Sequence, residues 1–94
     1  MSAPVLEYGT YKNVTATGNI TTAEKGVLIG FYVNSTTAGT LVLRDGGASG
    51  TVMNGTLTPA AGTFHRFPSR FTNGLHVTVG GTIDVTFFVV EGQN

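Results

Sequence analysis

The chain is written as short β-branched and aromatic runs, each closed by glycine, asparagine or proline. Gly26 to Asn34 reads GVLIGFYVN, Gly39 to Gly47 reads GTLVLRDGG, Gly74 to Gly81 reads GLHVTVGG, and Thr82 to Val90 reads TIDVTFFVV. Runs of this length, broken every eight to twelve residues or so, are the pattern of an antiparallel sandwich or barrel. No segment carries the i, i+3, i+4 recurrence of an amphipathic helix, and Thr22–Lys25 is at most one turn. The expectation is therefore all-β: an antiparallel, jelly-roll-like β-sandwich of about eight short strands. The strands are placed at 10–20, 25–35, 39–45, 51–57, 62–67, 69–72, 74–79 and 82–90. Residues 10–94 read as a single β-sandwich domain, and residues 1–9 as an extended N-terminal arm.

Alternation assigns the faces, because successive strand side chains point to opposite sides. Val27, Ile29, Phe31 and Val33 form one row, and Leu41 with Leu43 a second. Leu75, Val77 and Val79 form a third row, and Ile83, Val85, Phe87 and Val89 a fourth. These rows are the expected core. At Gly80-Gly81 a two-residue hairpin would set Val77 opposite Asp84, so burial favours a three-residue loop or an arch between sheets. Two strands are apolar on their second face as well: Leu28 and Tyr32 in one, Phe88 and Val90 in the other. A strand facing water should alternate cleanly, so these four residues are read as a subunit interface of a homo-oligomer, ahead of the alternative that the arm or a long loop of the same chain covers them.

Composition narrows the function classes. At 94 residues without cysteine, the chain has a modest core and no disulfide or thiolate metal site to reinforce it. Five cations balance five acids, and only 11% of the residues are charged. That lacks the basic face on which nucleic-acid binding depends, and it suits an assembled particle better than a solvated monomer. The apolar stretches fall far short of a membrane-spanning helix. The start, MSAPVLEYG, has neither a basic nor an apolar signal region, so synthesis in a cytoplasm without an export signal is expected.

Catalytic chemistry finds no support. The two histidines, His65 and His76, have no metal-ligand spacing, and the acids Glu7, Glu24, Asp45, Asp84 and Glu91 are dispersed. Both histidines are read as surface residues on strands, and no metal or cofactor is expected. Ser2, Ser35, Ser49 and Ser69 have no nucleophile-elbow context. Gly46–Gly50 lacks the Gly-Lys-Ser/Thr ending and the following helix of a phosphate loop. Phe64–Phe71, FHRFPSRF, interleaves two of the five cations with three of the six phenylalanines. It reads first as a strand bent at Pro68, with phenylalanines inward and arginines in water. A docking role for Arg66 and Arg70 would suit an acidic protein surface better than nucleic acid. The Asn-x-Thr triplets at Asn13, Asn19, Asn34 and Asn54 are expected by chance in a chain so rich in both residues.

Four elements together resemble a known family. They are the G-x-x-x-G-F-Y-V-x strand at 26–34, the G-T-L-x-L-x-D-G run at 39–46, the F-x-x-G-L-x-V-x-V-G-G step at 71–81, and the final β-branched strand at 83–90. Over residues 26–90 the chain resembles small β-sandwich capsid decoration, or cement, proteins of tailed bacteriophages and cyanophages. The resemblance implies a viral structural protein on the capsid exterior of the virion. It would be a homotrimer that binds the major capsid protein and stabilises the shell, with no catalytic motif. Outside the matched region, the apolar Val5, Leu6 and Tyr8 of the arm are expected to dock, and Arg66 and Arg70 are expected to join them on the capsid. The other reading is a head-fibre or tail-tip module binding host carbohydrate, with Tyr8, Tyr11 and Tyr32 as platforms. The absence of tryptophan counts against it.

Overall fold

The structure, a computed structural model, describes residues 9–92. Six strands form its framework: β1 (Thr10–Val14), β2 (Gly18–Asn19), β3 (Gly26–Asp45), β4 (Thr51–Val52), β5 (Phe64–Phe71) and β6 (Leu75–Glu91). All pairings are antiparallel within one sheet of order β1-β6-β3-β4, with β2 added to β6 and β5 to β3. The described residues contain no helix.

The backbone of the fold is a long ribbon. β3 and β6 pair from Gly26 opposite Glu91 to Asp45 opposite Leu75. The expected eight strands become six because the breaks anticipated at Asn34–Ala38, Pro68 and Gly80-Gly81 do not end strands, while the expected strand 10–20 splits in two. At the first and third, both partners deform together and pairing survives. The register shifts between Val33 and Ser35 and again between Thr37 and Thr40. Ala38 and Gly81 both take positive φ, 54° and 65°, where the strands cross this bend. A Cβ on Gly81 would sit 2.2 Å from the Ala38 carbonyl oxygen, so only glycine admits that approach. Neither hairpin considered at Gly80-Gly81 forms; the chain runs on through it. The expected strand 51–57 contracts to β4 and a lone bridge between Leu41 and Leu57, and 10–20 divides into β1 and β2.

The bend divides the ribbon. Residues 26–37 with 82–91 carry β1 and β5 at their edges, and residues 40–45 with 75–80 carry β2 and β4. One cluster of buried side chains draws on both parts: Leu28, Phe31, Val33, Val85, Phe87 and Val89 from the first, Leu41, Leu43, Leu75 and Val77 from the second. Val14, Ile20, Phe71 and Ile83 complete it. Three of the four expected rows are recovered, with Val79 only partly buried. The row that differs is the first. Opposite β6, a bulge between Leu28 and Gly30 inserts Ile29 as an extra residue in β3; opposite β5, the extra residue lies in β5, between Arg66 and Ser69. The alternation therefore slips, Leu28 enters the core with no exposed surface, and Val27 and Ile29 are left half-buried.

Candidate functional site: an aromatic and arginine face

Directly paired residues share a face, so the register places side chains without further assumption. Across the first half of the ribbon, Tyr11 pairs with Phe88, Phe88 with Gly30, and Gly30 with Arg66. One pair further along, Asn13, Thr86, Tyr32 and Phe64 line up. On the other side lie Val90, Val27 and Arg70. All of these point away from Phe31, Phe87 and Val89. The result is one continuous outer face across β1, β6, β3 and β5.

Gly30 is the keystone of that face. A Cβ there would lie 2.4 Å from the His65 carbonyl oxygen and 3.1 Å from the Phe64 ring. Its absence lets the Phe64 ring lean over β3 to meet Phe88, with ring centroids 6.0 Å apart in a tilted arrangement. Tyr11 is 77% exposed, Phe64 52% and Tyr32 38%, while Phe88, Val27 and Val90 are half-buried. Arg66 and Arg70 are exposed on the β5 side.

Three of the four carboxylates among the described residues hold neighbouring segments together. Asp84 Oδ1 accepts from Asn13 Nδ2 at 2.6 Å and from Asn34 Nδ2 at 3.1 Å. Asp45 accepts from the Thr72 and Asn73 amides, at 3.1 and 2.8 Å, and holds the turn between β5 and β6. Glu91 Oε1 accepts from the Thr22 and Ala23 amides, both at 2.9 Å, and holds the loop ahead of β3. Of the acids in residues 9–92, that leaves Glu24, which lies in the same loop. The face is therefore cationic at its β5 side, and among the described residues its one carboxylate is Asp84, which lies toward β1 with Oδ1 held by two asparagine amides.

A second polar spot lies on the other half of the ribbon. His76, paired with Arg44 on β3 and Asn19 on β2, is 5% exposed. Its Nδ1 donates to Asn19 Oδ1 at 3.0 Å, while its Nε2 and the Arg44 Nε are buried without a partner. Burial, and then the Arg44 charge, hold its pKa below the ordinary histidine value. His76 is thus a buried group rather than the surface residue expected. His65 packs its ring against Phe31 at 5.1 Å and bonds Thr63 Oγ1 through Nε2 at 2.8 Å. It borders an open cavity of about 210 Å³, lined also by Leu57, Thr58 and Pro59. No three of the His, Asp and Glu side chains among the described residues converge as metal ligands would.

Against the sequence reading, the structure regroups the site. Tyr32, Phe88 and Val90, expected at a subunit interface, and Arg66 and Arg70, expected at a capsid contact, lie on one face. Leu28 does not join them, because the bulge turns it into the core, where no partner chain can touch it. Val5, Leu6 and Tyr8 lie outside the described residues. Phe64 was expected to point inward and instead points out, while Phe67 and Phe71 do pack on the core. Its signal was available: Phe64 has the same parity as Arg66, the residue expected in water. Comparison with family models, curated proteins and solved structures returned no match.

Proposed function

We propose that the protein is a capsid decoration protein, a structural component of a tailed bacteriophage or cyanophage virion. It acts as a homotrimer on the outer surface of the major capsid protein and stabilises the shell. The observation that carries this reading is the outer face of the first half-ribbon, a contiguous aromatic and arginine surface on a small charge-poor block. Aromatic residues and arginine are the types enriched where proteins dock. The elements that resemble decoration proteins fall largely on β3 and β6, the two long strands that build this block. In this reading the bent ribbon is a jelly-roll-like sandwich whose two halves oppose their buried rows. The block has no chemical step to perform, and it needs no cofactor, nucleic acid or membrane. Its stabilising effect comes from tethering several weak contacts through one trimer, so that each raises the effective concentration of the others.

Undecorated heads of the parent virus, mixed with purified protein and sedimented, should carry it down to saturation. The decorated heads should then withstand higher temperature or chaotrope than bare ones. Heads that neither bind the protein nor gain resistance contradict the proposal.

A second reading, a recognition module for host carbohydrate, is favoured by one observation. Tyr11 stands largely exposed beside Phe88, as a sugar-stacking platform would. Binding of the assembled protein to host surface polysaccharide on a glycan array would support it.

A further inference from the structure

We infer that the outer face is a single docking surface for an acidic protein segment with apolar side chains, and not the contact between copies of this chain. The inference rests on the decoration reading only for the identity of the partner, not for its chemistry.

The face has the anatomy of a recognition surface. Phe64, Phe88 and Tyr32 form its apolar middle, Tyr11 flanks it on β1, and Arg66 and Arg70 border it on β5. Such centres of aromatic residues rimmed by arginine are where binding energy concentrates in protein interfaces. Each arginine offers a planar fork that matches a carboxylate with two parallel hydrogen bonds.

Charge decides the occupant. Among the described residues, a second copy laid on this face would bring two more arginines against one carboxylate, Asp84, so cations stay in excess across the contact. Like charges opposed across an interface disfavour that pairing. A nucleic acid would need a track of cations to displace its counterions. Among the described residues this face has two; Lys12, on β1, pairs with Phe87 and so projects to the opposite side. An apolar segment carrying its own carboxylates satisfies both the rings and the arginines. Such a segment on a capsid protein would seat the decoration protein face-down on the shell.

The test is an amide NMR titration of the ¹⁵N-labelled protein with three probes. They are the peptide Asp-Leu-Glu-Phe-Asp-Leu-Glu, its neutral counterpart Asn-Leu-Gln-Phe-Asn-Leu-Gln, and a twelve-residue oligo-dT. The expected result is shifts centred on Tyr11, Tyr32, Phe64, Arg66, Arg70 and Phe88, with the acidic peptide binding at least tenfold tighter than the neutral one. In an Arg66→Glu/Arg70→Glu variant the preference should vanish while the spectrum stays dispersed; Arg66→Gln/Arg70→Gln should weaken it partway. Equal binding of both peptides, or shifts elsewhere, overturns the inference. Shifts of this face with oligo-dT alone overturn it in favour of nucleic acid. Shifts that grow with protein concentration before any probe is added overturn it in favour of a second copy. If wild-type protein meets these expectations yet does not sediment with undecorated heads, the decoration reading fails and the docking chemistry stands.

Discussion

At the scale of single residues, the asparagines and acids have structural employment that composition could not disclose. Asn13 and Asn34 hold Asp84, Asn19 holds His76, and Asn54 Oδ1 accepts the Leu43 amide at 3.0 Å. The four Asn-x-Thr triplets thus begin with residues that bind strands together. His76 gives a prediction with a definite sign. Its folded pKa lies below the ordinary value, first through burial and then through Arg44. The unfolded chain therefore binds the proton more readily. Stability should be full above the unfolded pKa of about 6.5 and should decline as pH falls through and below it. Urea unfolding at intervals from pH 7.5 to 5 should show a falling midpoint, and His76→Gln should flatten the trend. A wild-type midpoint that is constant or rises toward acid would contradict the assignment. Nothing in the alternation marked His76 as buried. It lies on the face opposite Leu75 and Val77, and only the arrival of Asn19 and Arg44 from distant segments encloses it.

At the scale of elements, register is the decisive quantity, because one inserted residue exchanges the two faces of a strand. The bulge at Ile29 predicts that Leu28→Ala costs about 2–5 kcal/mol, as for a fully buried leucine. Val27→Ala, half-buried on the outer face, should cost roughly 1 kcal/mol or less. Denaturant unfolding of the two variants checks this directly. The reverse order would restore the uninterrupted alternation and remove the bulge. The sequence made the rows at 41–43, 75–79 and 83–89 legible, since each lies in a stretch of strand where the period of two runs unbroken. It misled where bulges intervene, because an extra residue leaves no mark in composition. Glycine misled in a related way. Gly80-Gly81 reads as the end of a strand, but here it lets β6 bend close against Ala38 of β3 while the two stay paired. Telling a turn from a bend requires the partner strand, which local pattern does not contain.

At the scale of the whole molecule, the all-β class was legible throughout, and the outer face was legible in pieces. Tyr32, Phe88, Val90, Arg66 and Arg70 were each identifiable as residues without an evident core position. Their union on one surface was not, because it depends on β5 joining β3 across more than thirty residues of chain and on Gly30 making room for Phe64. In the proposed function, that union is the surface presented to a capsid. The most direct measurement is co-sedimentation of undecorated heads with wild-type protein and with Phe88→Lys, which sets a charge in the middle of the aromatic cluster. Light scattering provides the control, with both proteins expected at three times the 9.7 kDa chain mass. The account predicts that wild-type protein saturates the heads and that Phe88→Lys, equally assembled, binds at least tenfold more weakly. Equal binding by the two proteins would contradict it.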